Sequence, residues 1–205
     1  LTDLVRRGRL SPFNIYVDSP MAKAATEVTL RHPDLLDQET HDLIAWQRSH
    51  PERPRIHFVE EVEESMALNH IAGGVVIIAA SGMCDAGRIK YHLYQNLARA
   101  ESSVVITGFQ AAGTLGRRLV DGAKRVRIFG DELPVRADIH TIGGLSAHGD
   151  RAALLAWLGH FQAPPGQCFV VHGEAETALS FAESVKQLGW NRVAVPEYRE
   201  FRDLD

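Results

Sequence analysis

Two histidines in this chain stand where a side chain can do chemistry. His148 lies in Gly143-Gly144-Leu145-Ser146-Ala147-His148-Gly149-Asp150, and His172 lies in Phe169-Val170-Val171-His172-Gly173-Glu174. Each follows an extended pattern, is followed by a glycine and an acid, and precedes a helical pattern. The glycine lets the backbone turn tightly and leaves the imidazole uncrowded. An imidazole in such a place can hold a metal ion or pass a proton to a leaving oxygen. A single histidine is by default a satisfied surface or core residue. Repetition of strand, His, Gly, acid and helix is what favours a shared site. In an open α/β sheet both positions fall at the carboxyl ends of strands, the edge where ligands bind, so the two are expected to converge.

Two further segments have the composition of anion-binding turns. Ser81-Gly82-Met83 and the glycine-rich segment 108–116 each follow a strand pattern and precede a helix. Their amides either cradle a phosphate or make a plain strand-to-helix turn, and the sequence leaves both open. Candidate phosphate contacts are Ser81, Gly82, Arg88, Gly113, Thr114 and Arg117, with Lys90 and Arg118 nearby. Gly108 and Gly113 echo a P-loop, but Thr114 stands where its lysine belongs, and no Gly-x-Gly-x-x-Gly follows a strand. Nucleotide-cofactor binding is therefore a poor reading.

The elements that must position these residues are an alternation of short Val/Ile-rich runs and longer helical patterns. Strands are predicted at 13–17, 55–59, 75–79, 103–107, 126–129, 168–171 and 192–195. Helices are predicted at 21–31, 38–49, 61–71, 86–100, 114–122, 150–161 and 174–188. Ser19-Pro20 offers an N-cap and a first-turn proline, Asp150 a second N-cap, and Asp18 reads as a further capping acid. The pattern predicts an α/β fold with a mainly parallel sheet flanked by helices. Residues 128–142 are strand-rich with a turn at Gly130-Asp131, consistent with a hairpin. His50-Pro51-Glu52-Arg53-Pro54 reads as a proline-bounded loop, and a domain change is expected near 122–126.

Composition bounds the function. The 205 residues are 45% hydrophobic and 23% charged, enough apolar material for one large core or two modest ones. The net charge of −4 gives no global pull on a polyanion. One local cluster, Arg117, Arg118, Lys124, Arg125 and Arg127 against Asp121, runs the other way, although such runs are commonly solvated faces. Glu60, Glu61, Glu63 and Glu64 complement a helix start. Trp46, Trp157 and Trp190 read as core or interface. Cys84 and Cys168 form no Cys-x-x-Cys pair, so neither a disulfide framework nor a thiolate zinc site is indicated. With no long apolar run and no signal-peptide core, a cytoplasmic protein without a membrane partner is expected. The start at Leu1, within a helical pattern, suggests an excised piece.

Five ordered segments resemble the β-CASP group of the metallo-β-lactamase superfamily, RNA nucleases that include cleavage and polyadenylation endonuclease subunits, ribonuclease J and bacterial RNA-specific relatives. They are Tyr16-Val17-Asp18-Ser19-Pro20-Met21-Ala22, Ala80-Ser81-Gly82-Met83-Cys84-Asp85-Ala86-Gly87-Arg88, Thr107-Gly108-Phe109-Gln110-Ala111-Ala112-Gly113-Thr114-Leu115-Gly116-Arg117, and the two histidine segments. The resemblance implies most of a β-CASP domain at 1–125 and the carboxy-terminal part of a metallo-β-lactamase αββα sandwich at 126–205. It implies RNA as substrate and two zinc ions in the parent protein, with His172 ligating one zinc and His148 assisting the scissile phosphate or leaving group.

One departure limits this. The family's His-x-His-x-Asp-His run is absent, since the chain contains no His-x-His. His148 and His172 alone cannot complete a zinc site, which needs three or four protein ligands. The chain is therefore expected to bind metal weakly or not at all and to lack nuclease activity alone. The alternatives are a non-catalytic RNA-binding or scaffold module of the same family and a zinc hydrolase of small esters. A half sandwich would leave an apolar face open, so association, as a homodimer or swapped dimer, is expected.

Overall fold

The computed structural model describes residues 1–50, 53–146 and 148–202. Pro51 and Glu52 of the proline-bounded loop and Ala147 of the His148 segment lie outside the described residues. The chain divides into two compact units, Leu1–Gly143 and Gly144–Asp205.

In the first unit, strand β1 (Asn14–Asp18) is central, with β2 (Arg55–Phe58) on one side and β3 (Val75–Ala79) on the other, all parallel. Parallel neighbours need long crossovers. Helices α2 (Pro20–Arg31) and α3 (Gln38–Ser49) lie between β1 and β2, and α4 (Val62–Leu68) between β2 and β3, after the short α1 (Thr2–Arg6) at the chain start. Local chemistry sets the helix starts. Ser19 Oγ accepts from the Ala22 amide at 3.2 Å with Pro20 in the first turn, and Asp37 Oδ1 accepts from the Thr40 amide at 2.8 Å. These caps fill amides that a helix end would leave open.

Beyond α5 (Gly87–Asn96), β4 (Ser103–Ile106) pairs in parallel with β7 (Asp138–Thr141). Between them come α6 (Leu115–Val120) and an antiparallel hairpin of β5 (Arg125–Ile128) and β6 (Asp131–Pro134). The hairpin turns one residue earlier than predicted. Its loop is Phe129-Gly130, with φ of +53° and +95°, and Asp131 already pairs with Ile128. Two left-handed residues match the twist of the flanking strands. Val126 and Ile128 point inward while Arg125 and Arg127 point out. The inward pair joins Leu93, Leu97, Ile106, Leu115 and Leu119 in the unit's core.

The second unit holds α7 (Arg151–Leu158), β8 (Cys168–Phe169), α8 (Ala175–Gln187) and β9 (Val193–Ala194), with β8 and β9 parallel. The strands are shorter than predicted: register pairing is confined to Cys168 and Phe169 against Val193 and Ala194, and the Val170 amide adds a bond to Ala194 O at 2.9 Å. The core here is small, built on Leu158, Val185 and Trp190. Trp190 is buried as expected, Trp46 stacks on His50, and Trp157 is exposed. The architecture is the expected α/β one, with parallel strands flanked by helices.

Candidate functional site

His148 sits on an exposed turn just ahead of α7. Its amide donates to Ser146 Oγ at 3.3 Å, and Asp150 caps α7 by accepting from the Ala153 amide at 2.8 Å. His172 is also exposed and takes a left-handed conformation, with φ of +63°. Non-glycine residues hold that region at a cost, and such outliers gather at functional sites. The turn arises where β8 ends and the chain reverses through Gly173 into α8.

Both turns meet at one concavity of about 740 Å³, whose lining includes Gly149, Leu154, Trp157, Phe181 and His172. The concavity is lined by His172 and by Gly149, the residue after His148; His148 itself is not among its lining residues. The walls are mainly apolar. Arg151, on the same wall, is turned toward α8, where its guanidinium donates to Ser184 Oγ at 2.5 Å. Among the described residues no group of three His, Cys, Asp or Glu side chains is placed to hold a metal ion. Zinc needs at least three protein ligands. The described residues do not build a zinc centre by themselves.

The sequence reading missed a second polar cluster, in the first unit. Asp18 does not cap α2, because Ser19 does. Asp18 is instead buried at the end of β1, where Ser65 Oγ donates to its Oδ2 at 2.6 Å and His92 Nε2 lies 2.7 Å from the same oxygen. Arg88 Nη1 donates to Oδ1 at 2.5 Å and to Val59 O at 3.1 Å, and Nη2 donates to Glu60 O. Burial pushes the Asp18 carboxyl up, but the hydrogen bonds from Ser65, His92 and Arg88 and the guanidinium charge outweigh it and hold it below its ordinary value. The Arg88 guanidinium is therefore turned inward, onto a carboxylate and two carbonyls. The only sequence signal was an acid at a strand end with arginine and histidine on one later helix.

The two glycine-bearing turns are locked to each other. Gln110 Nε2 donates to Gly82 O at 2.8 Å and to Phe109 O at 2.9 Å. The first three amides of α6 are taken by the protein itself: Leu115 donates to Asp85 Oδ1, Gly116 to Met83 O and Arg117 to Thr114 Oγ1. The Thr114 hydroxyl also donates to Ala111 O, and Arg117 pairs with Asp121 at 2.9 Å. Gly113, with φ of +84°, has open space where a Cβ would stand. At α6, then, the geometry matches the plain-turn reading, while Ser81, Gly82 and Gly113 lie on the turns themselves.

The profile described as the Beta-Casp domain matches residues 1–119, more than half of the chain. A second, described as the Zn-dependent metallo-hydrolase RNA specificity domain, matches residues 132–196 and includes both histidine turns. The chain belongs to the β-CASP family of metallo-β-lactamase-fold RNA nucleases. The chain is similar to the ribonuclease TTHA0252 of Thermus thermophilus, 38% identical over 178 residues, covering 85% of this chain and 40% of the relative. An RNase J-like protein of Methanocaldococcus jannaschii is 28% identical over 97% of this chain and 44% of its own length. The transcription termination factor FttA of the same organism is 28% identical over 89% of this chain and 30% of its own length. The chain spans less than half the length of these relatives.

Proposed function

We propose that this chain is part of a zinc-dependent ribonuclease that hydrolyses RNA phosphodiester bonds, and that it is inactive alone. The observation that carries this is the convergence of the His172 turn and the His148 turn on one concavity, within the stretch similar to an RNA specificity domain. In this reading residues 1–125 form most of the β-CASP domain and 126–205 the returning lactamase segment. His172 supplies one ligand to a zinc site whose other ligands are not among these 205 residues. His148, exposed on the adjacent turn, protonates the leaving oxygen of the scissile phosphodiester. Ser81, Gly82 and Gly113 meet the RNA backbone from the first unit's turns, whereas Arg88 is committed to Asp18 and two carbonyls, Thr114 to the α6 cap and Arg117 to Asp121. The place of action is the cytoplasm. No helix among the described residues is long and apolar enough to cross a membrane.

A silent RNA-binding or scaffold module is the competing reading, which the lack of a three-ligand group among the described residues also suits. One pair of measurements separates them. The 205-residue chain should bind labelled single-stranded RNA but hold no stoichiometric zinc and cut nothing; tight zinc with cleavage would overturn the proposal. In a protein that also carries the region this chain lacks, His172→Ala should lower zinc content, while His148→Ala should lower turnover with zinc retained. If both variants cleave RNA as the parent does, the roles given to the two histidines are wrong, and a parent that never cleaves is the silent module.

A further inference from the structure

The α5 helix presents two opposite faces. His92 and Leu93 turn into the first unit, whereas Lys90, Tyr91 and Tyr94 turn toward the β5–β6 hairpin. There the Tyr91 and Phe129 rings lie with centroids 4.7 Å apart, inclined at 35°. Lys90 Nζ stands 4.9 Å from the Phe129 centroid. Tyr94 steadies the arrangement, since its ring is 5.8 Å from Phe129 and its hydroxyl donates to Asp131 Oδ2 at 2.7 Å.

Neither turn chemistry nor core packing accounts for Phe129. A two-residue hairpin loop favours Asn, Asp or Gly at its first position, and Phe129 holds φ of +53° there. The ring does not recover that cost by burial, because Phe129 is 49% exposed and Tyr91 is 60% exposed. A strained, exposed aromatic braced by a second ring is a feature whose cost is met by function. The surroundings select the ligand. Lys90 stands over the Phe129 ring, and Arg125 and Arg127 point outward from the hairpin, with Arg125 paired to Glu132. Single-stranded nucleic acid is held by this combination, bases stacking on rings and phosphates meeting cations, and without sequence readout. A protein partner would call for a broader apolar surround.

We propose that Tyr91 and Phe129 form a base-stacking platform for single-stranded RNA, with Lys90 meeting the neighbouring phosphate. The proposal rests on the reading of the chain as an RNA-binding part of a ribonuclease. The test uses the 205-residue chain and fluorescently labelled dodecauridine, read by anisotropy over a salt series. Phe129→Gly removes the ring while suiting the left-handed backbone, so folding is kept. Tyr91→Ala removes the second ring, and Tyr91→Trp restores a stacking surface. The two deletions should each weaken binding roughly 5- to 100-fold, with the slope of affinity against salt unchanged, and Tyr91→Trp should bind as the parent does.

Parent-like binding by Phe129→Gly and Tyr91→Ala overturns the platform alone, as does a weakening that also flattens the salt slope, which would mark lost phosphate contacts. A parent chain that binds no dodecauridine overturns the RNA-binding reading and the platform together. If the deletions change the sedimenting mass and leave RNA affinity untouched, the rings are a protein contact and the proposal fails.

Discussion

At Asp18 a fully enclosed carboxylate meets a hydroxyl, an imidazole and a guanidinium, and its charge is worth keeping only because all three are in place. The folded carboxyl titrates below the ordinary value of 3.8. Its contribution to stability is therefore complete above that ordinary value and is lost as pH falls through it toward the depressed folded value. Asp18→Asn leaves the Arg88 guanidinium facing a neutral amide, and breaking one side of a buried pair costs about 3 kcal/mol. Urea unfolding at neutral pH should show that loss. Between about pH 5 and pH 2 the variant should also lose less stability than the parent. Equal midpoints and equal acid profiles would show that Asp18 holds nothing.

Among the elements, the interlocked turns before α5 and α6 offer the sharpest contrast. A Cβ at Gly116 would stand 1.7 Å from Gln110 Oε1, and the backbone oxygen of Met83 would be 3.2 Å away. Gly116→Ala must expel the buried amide that ties Gly82 to Phe109, and overpacking of this kind costs about 2 kcal/mol. Gly113→Ala meets only the left-handed backbone, at about 1 kcal/mol. Thermal melts should rank them in that order, and the reverse order would mean that Gln110 moves freely. What was legible in the sequence at this scale was what neighbours in sequence decide. Ser19-Pro20 and Asp150 announced their helices because a cap bonds three residues along. Asp18 was misread because its partners lie 47, 70 and 74 residues away. The hairpin turn was displaced by one residue because Phe129 occupies a conformation its side chain disfavours.

Considered as a whole molecule, the chain carries a larger buried cluster in the first unit and a small one in the second. Leu154, Trp157, Leu179 and Leu188 of the second unit are exposed, Trp157 by 60%. Exposed apolar side chains favour association where they adjoin. Self-association through them is expected, with Trp157→Glu lowering the fraction of dimer in sedimentation equilibrium; a parent that stays monomeric at high concentration sinks the expectation. The site was only half legible at this scale. The histidine turns stood out through local pattern, but among the described residues no group of three His, Cys, Asp or Glu side chains completes a metal centre around them.

The Asp18 cluster also has a kinetic consequence. It gathers β1, α4 and α5, segments far apart along the chain, so it closes only after the loops between them have been drawn in. Contacts of that kind form late, and their loss lets a folded protein open sooner without delaying its assembly. In stopped-flow experiments Asp18→Asn should steepen the rate of opening and leave the refolding limb almost where it was. The carboxylate would then set how long the first unit lasts once folded, more than how quickly it gets there.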